Sequence, residues 1–380
     1  MSATFAWVSA AAAIVAAGAA CAAPRYIAEP LGALGGAYSE GRAINARGEV
    51  TGAAQVASGE LHAFLFAGGN MRDLDDASTG SVGNAINLHG HVTGCVTRSD
   101  GTHGFVHHGD VMRDIDTLVV SSPTRPLPTR LGCGVAIDDA DRVVGPQYWD
   151  FQYAPAPSYR YAAGVVEDIG QTVAALNNRG DIAGTAYFHV NPPQGWVIVD
   201  GVRYIVGAAS GAETYVTAIN ASGHATGSRH VASVTANAAR YLPFDFATGV
   251  ETPIVAFPPG DSAFGKAINA WGHIVGEGLR ADATAYAFVA IGGEVSDLNA
   301  LVASGLDGSR LTTATAINDA GIIVANSCPP APSYPPPCVA FRLIPLDDAA
   351  SPANVPALSM RALVLLGLLL VATTAMQLRR

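Results

Sequence analysis

The stretch Ala43-Ile44-Asn45-Ala46-Arg47-Gly48-Glu49-Val50-Thr51-Gly52 decides how this chain folds, because the chain keeps returning to it. The pattern Ala-Ile-Asn-x-x-Gly-x-Val-x-Gly recurs at Ala85-Ile86-Asn87 with Gly90 and Gly94, and as Ala175-Leu176-Asn177 with Gly180 and Gly184. The copy at Ala136-Ile137-Asp138 keeps Gly145 but has Asp141 at the central glycine. Further copies centre on Asn220, Asn269 and Asn318, the last with Ala325 as its final residue. An asparagine or aspartate caps a turn with its side chain. A glycine three residues later accepts the positive φ that closes a type I turn with a bulge. The flanking Ala-Ile and Val-x-Gly segments supply the two short strands of a hairpin.

A second hairpin follows most copies. In the first repeat it is His62-Ala63-Phe64-Leu65-Phe66, then Gly68-Gly69-Asn70, then Met71-Arg72-Asp73-Leu74. Weaker versions join His103-Gly104-Phe105 to Met112-Arg113-Asp114, and Tyr286-Ala287-Phe288 to Val295-Ser296-Asp297. Four short strands every 40–50 residues or so is the signature of a propeller blade. The last repeat runs through Val339-Ala340-Phe341-Arg342-Leu343 without a fourth strand, whereas a spare strand, Arg25 to Leu31, precedes the first. The spare strand predicts ring closure, which removes two exposed sheet edges. The expectation is an all-β propeller of seven four-stranded blades over 23–346.

Composition agrees. Of 380 residues, 49% are hydrophobic and 14% charged, and 42 glycines with 23 prolines suit strands punctuated by turns. The net charge is −10, and Lys266 is the single lysine among scattered arginines, so no basic stripe exists for a nucleic acid. Four cysteines lie beyond Cys21. Cys328 and Cys338 enclose a proline-rich insert that backbone hydrogen bonds cannot fix, which predicts a disulfide there. Cys95–Cys133 follows by elimination, with two buried thiols as the alternative.

The two ends read as addresses. Met1 to Pro24 carries no charged side chain, and Ala20-Cys21-Ala22 offers small residues for cleavage, which predicts a signal peptide over 1–22. A linker over 347–356 leads to a segment, 357–380, whose run Ala362 to Leu378 has no charge before Arg379-Arg380. That run predicts one C-terminal transmembrane helix with the body outside the cytoplasm. Val355-Pro356-Ala357-Leu358-Ser359, the apolar run and Arg379-Arg380 resemble the IPTL-CTERM sorting signal of Gram-negative bacteria. The resemblance implies an exosortase-like peptidase as partner. The repeats, over roughly 26–344, resemble the HAF-repeat family of probable extracellular bacterial proteins, named for segments like His62-Ala63-Phe64. That resemblance implies an extracellular or cell-surface location and no particular activity.

Candidate contact residues are departures from the repeat. Tyr148, Trp149, Phe151, Tyr153, Tyr159 and Tyr161 crowd the third repeat, and Tyr334 lies in the cysteine-bounded insert. Exposed rings stack on sugars or anchor interfaces. The recurring His62 and Asp73 read as blade hydrogen bonding. His103, His107 and His108 predict no metal site, since strand neighbours face opposite ways. Asp73, Asp75 and Asp76 lack the pattern of a helix–loop–helix calcium loop. No cofactor is expected. No nucleophile elbow, phosphate loop or zinc motif occurs, which predicts a non-enzymatic role in contacting a surface glycan or protein, or a passive envelope role. The rival expectation is an exported carbohydrate-active enzyme, glycosidase or lyase, in which acids such as Asp150, Glu213 and Glu251 pair across a propeller face.

Overall fold

The computed structural model describes residues 25–75, 80–120, 130–148, 158–186, 192–207, 211–231, 240–329 and 337–346. The expected leader, the linker and the sorting and transmembrane segment lie outside the described residues. So do Asp76, Trp149, Asp150, Phe151, Tyr153 and Tyr334. Among the described residues no helix is long and apolar enough to cross a membrane.

Seven antiparallel sheets follow one another along the chain, as the repeats predict. Blade 1 runs from its inner strand Gly35–Ile44 through Val50–Val56 and Leu61–Ala67 to its outer strand Asn70–Asp73. Blade 7 has three strands of its own, Thr313–Ile317, Ile323–Ser327 and Val339–Pro345. The N-terminal strand Tyr26–Pro30 pairs antiparallel with the last of these and completes the blade. Val302–Ser304 adds a parallel fifth strand outside it. Arg342 clamps the closure: its guanidinium donates to the Glu29 carboxylate at 2.8 Å and to the Gly48 carbonyl of blade 1 at 2.8 Å, and lies over the Phe66 ring.

The repeat's asparagine does more than cap its own turn. Its Oδ1 accepts from the backbone N–H groups two and four residues on, as Asn45 does from Arg47 and Glu49. Its Nδ2 then donates to the backbone carbonyl of the matching residue in the next blade. Asn45 reaches Asn87, Asn87 reaches Asp138, Asn177 reaches Asn220, Asn220 reaches Asn269, Asn269 reaches Asn318, and Asn318 returns to Asn45, at 2.8 to 3.2 Å. These asparagines are buried. The ring breaks where an aspartate has no amide to donate. There Asp138 binds Arg142, and the gap to blade 4 is bridged by Asp139 N–H to Asn178 Oδ1 at 3.0 Å and Asn178 Nδ2 to Asp139 Oδ2 at 2.6 Å.

The final glycine of the repeat has a packing reason. In six blades the inner strand carries a bulge just before the Ala-Ile pair, between Gly41 and Ala43 in blade 1. A Cβ on Gly52, Gly94, Gly184, Gly227 or Gly276 would fall on an inner-strand carbonyl oxygen beside that bulge. Across the strand each such glycine faces a ring: Gly52 faces Phe64, Gly94 Phe105, Gly184 Trp196, Gly227 Phe244 and Gly276 Phe288. Blade 3 places Tyr159 opposite Gly145, and blade 7 places Phe341 opposite Ala325. All seven rings are buried and form the blade cores. This corrects the reading of Tyr159 as part of a contact cluster: it is the core ring of its blade, its hydroxyl donating to Gly132 O at 2.9 Å.

Both disulfides are present. Cys328–Cys338 joins the second and third strands of blade 7, and Cys95–Cys133 ties blade 2 to blade 3, whose inner strand is split into Arg130–Leu131 and Ala136–Ile137. The ring predicts unequal costs for asparagine removal. Asn220→Ala, losing one interblade donor and the single oxygen that accepts two turn hydrogen bonds in a buried setting, is expected to cost about 3 kcal/mol in denaturant unfolding. Asn70→Ala, at the exposed start of the outer strand of blade 1, is expected to stay within about 0.5 kcal/mol.

Candidate functional site

The asparagine turns lie at one end of the blades. At the other end, second strands connect to third strands and outer strands pass to the next inner strand. A cavity of about 380 Å³ opens among the inner turns of blades 1 to 5, floored by Ile86, Ile137, Leu176 and Ile219. Its polar lining is Asn45, Asn87 and Asn177, whose amides the ring already consumes, with Asp139 and Asn178, which bond to each other. That cavity follows from the fold.

The opposite end carries a cluster with chemistry to spare, on blades 5 and 6. Glu213 precedes the inner strand Thr214–Ile219 of blade 5. Tyr215 follows it on that strand, and the hydroxyls of Tyr215 and Tyr241 both donate to Glu213 Oε1, the latter at 3.2 Å. His230 and Tyr241 are cross-strand partners, with ring centroids 5.4 Å apart. Tyr241 then meets Phe264 of blade 6 at 5.4 Å and Tyr215 at 6.3 Å. All five residues are half-buried, so each keeps part of its surface open to solvent. Burial first, and then the Glu213 charge, raise the Tyr241 hydroxyl above the ordinary tyrosine value of 10.0. Lys266, two residues beyond Phe264, is exposed and has no ion-pair partner among the described residues.

The expected pairing of Glu213 with Glu251 does not occur. Thr214 and Arg229 are cross-strand partners, and Thr214 and Glu251 both pack by Gly207 of the blade 4 exit. Glu251 is held there by Arg229 at 2.8 Å, both side chains being largely buried. Glu213, Tyr215 and Tyr241 instead face blade 6, where Tyr241 N–H also meets Ser262 Oγ at 3.3 Å. The two acids therefore occupy opposite faces of one sheet.

Of the contact residues expected from the sequence, Tyr148 ends the second strand of blade 3 and pairs through its backbone with Arg130. The aromatic insert that follows it falls outside the described residues. His62 and Asp73 behave as blade hydrogen bonding: His62 Nδ1 lies 2.8 Å from Asp73 Oδ2, and Asp73 Oδ1 accepts from Asp75 N–H. Asp114, Asp168 and Asp297 make the same turn-capping bond in their blades. Composition hid the blade 5–6 cluster, because its members are spread over fifty-odd residues of the least regular repeat. Only Glu213 stood out, as an acid off the repeat frame.

No protein-family model matches the chain, and no curated protein matches it. Several solved structures do. A puromycin-hydrolyzing peptidase of Mycobacterium tuberculosis is 12% identical, with a TM-score of 0.47, over 84% of this chain and 54% of that one. This chain thus spans about half the peptidase's length. A protein described as an oxidoreductase (glucose dehydrogenase) from Thermus thermophilus is 12% identical, with a TM-score of 0.39, over 84% of this chain and all of that one. A protein described as a gluconolactonase is 11% identical, with a TM-score of 0.34, over 71% of this chain and 90% of that one. At such identities these likenesses speak to the fold alone. Those enzyme names belong to the neighbours; what corrects the expectation of a non-enzymatic chain, drawn as it was from missing linear motifs, is the propeller fold itself. The physical reason is that a propeller assembles a site from single side chains on separate blades, so missing linear motifs do not tell against catalysis.

The cluster predicts one spectroscopic result. In ultraviolet titration three tyrosines, Tyr26, Tyr241 and Tyr286, should ionise above the ordinary range. Glu213→Gln should bring the Tyr241 transition alone partway back down, since the carboxylate charge adds to burial in holding its proton.

Proposed function

We propose that this chain is an exported carbohydrate-active propeller that holds a saccharide against blades 5 and 6 and cleaves it by proton transfer. The observation that supports this reading is the pair of half-buried Tyr215 and Tyr241 rings bonded to the Glu213 carboxylate, with the Phe264 ring beside Tyr241. Sugar rings present C–H faces that pack on aromatic rings and hydroxyls that donate to carboxylates. Two-carboxylate hydrolysis needs carboxyl groups facing across the scissile bond, about 5–10 Å apart. Glu213 and Glu251, on opposite faces of blade 5, do not supply that pair.

The groups that do converge fit an elimination. The His230 imidazole takes the proton from the carbon beside a uronate carboxyl. The glycosidic C–O bond breaks as a carbon–carbon double bond forms, and the Tyr241 phenol protonates the leaving oxygen. The raised Tyr241 hydroxyl stays protonated at neutral pH, which is the form that donates. Glu213 orients that phenol, and Lys266 supplies a cation for the uronate carboxylate. A panel of uronate-containing polysaccharides, followed by the ultraviolet absorbance of the unsaturated product, tests this. His230→Ala should lower the rate about 100-fold or more, and Phe264→Ala should raise KM. Correctly folded protein that yields no unsaturated product from any uronate polymer contradicts the reading.

The leader and tail complete the proposal: the body is exported and the tail is cut by an exosortase-like peptidase. Mass spectrometry of the termini in the native host should find a mature chain beginning near Ala23 and ending near Val355. An intact tail contradicts the sorting step.

A further inference from the structure

We propose that blade 2 carries a divalent transition-metal site at the connection end of the propeller, built by His103 Nδ1, Asp114 Oδ2 and Asp116 Oδ2. His103 opens the third strand, Gly101–His108; Asp114 ends the outer strand, Val111–Asp114; Asp116 lies in the short helical turn Ile115–Leu118 that leads to blade 3. Among the described residues these donors, all within 4.8 Å of one another, are the group that converges on one point. Nδ1 is 2.9 Å from Asp114 Oδ2 and 3.2 Å from Asp116 Oδ2. A metal–ligand length of about 2.1 Å puts neighbouring octahedral donors about 3 Å apart.

Each donor is held by a separate hydrogen bond on its far side. Asp116 N–H donates to Asp114 Oδ1 at 2.9 Å, and Leu131 N–H donates to Asp116 Oδ1 at 2.9 Å. Each carboxylate thus keeps its other oxygen turned toward the imidazole. Asp100 Oδ1 lies 3.0 Å from His103 Nε2. With Nε2–H donated to Asp100, Nδ1 offers a lone pair to the same point as the two oxygens. Three acceptors facing one another call for a cation between them. A carboxylate on the far nitrogen is the usual partner of a metal-ligating histidine, fixing its tautomer and raising its basicity. His103 is buried, whereas the Asp116 side chain is 28% exposed, so the site opens on the Asp116 side for water ligands.

Blade 1 supplies the contrast. His62 and Asp73 make the same strand-end pair, but among the described residues no group of three convergent donors forms there. Asp75 stands in blade 1 where Asp116 stands in blade 2, each donating its N–H to the aspartate two residues before it, so the side chain that blade 2 adds to the pair is Asp100. One nitrogen with two oxygens favours Mn²⁺ or Zn²⁺ over calcium, which takes six or more oxygens. The site is distinct from the blade 5–6 cluster and does not rest on its proposed reaction.

The test uses the full purified protein, stripped with a chelator and titrated with Mn²⁺ alone, by calorimetry and by the electron paramagnetic resonance signal of free Mn²⁺. One ion per chain should bind with micromolar affinity and raise Tm. His103→Gln and Asp116→Asn should each weaken binding at least about 100-fold, and Asp100→Asn about 10–100-fold. His62→Gln should leave it unchanged. Because a blade 2 variant can fail to fold, the wild-type titration decides by itself whether an ion binds, and circular dichroism screens the variants. Folded wild-type protein that binds neither Mn²⁺ nor Zn²⁺ more tightly than millimolar overturns the proposal, as does a folded His103→Gln that binds as tightly as wild type.

Discussion

The bond from each asparagine's Nδ2 to the carbonyl of the matching residue in the next blade is the constraint on which the rest of the structure depends. A blade alone is a four-stranded sheet with two hydrophobic faces and two edges, and little in its own hydrogen bonding says where the next should sit. The asparagine couples the two problems. Its carbonyl oxygen shapes its own turn while its amide fixes the spacing to the neighbour. The last amide returns to the first blade, and the Asp139–Asn178 pair bridges the one junction where an aspartate interrupts the series, so every interblade junction carries a polar tie. The bulge, the glycine and the facing ring then follow at fixed offsets, filling the space that spacing leaves.

Much of this was legible in the sequence. The period, the blade count and the closing strand could be read because they depend on local turn chemistry and on a missing fourth strand in the last repeat. The asparagine's second role was not legible, since its acceptor lies a whole blade away. Nor was the reason for the final glycine, which depends on a carbonyl of the preceding strand. Tyr159 was misjudged for the same reason. Beside other rings in a row it resembled a contact residue, and only the pairing with Gly145 shows that it fills the place Phe64 fills in blade 1.

Sites on this scaffold are harder still to read. Glu213 was visible as an acid off the repeat frame, but Tyr215, Tyr241, His230 and Phe264 gain meaning only when two blades bring them together. The same packing separates Glu213 from Glu251, which sequence could have placed in one cleft. On blade 2, neighbouring histidines suggested nothing useful. The informative partners of His103 are aspartates that approach from three different segments. In both places the fold brings together side chains that lie far apart or on separate segments of the chain.

The central functional claim is that the blade 5–6 cluster is where a saccharide is held. The most direct measurement is a crystal structure of the protein soaked with a uronate oligosaccharide. Density is expected for a sugar ring against Phe264 and Tyr241, with a hydroxyl at Glu213 and a carboxylate toward Lys266. Density at the asparagine-turn cavity instead, with the blade 5–6 cluster bare, would contradict that claim.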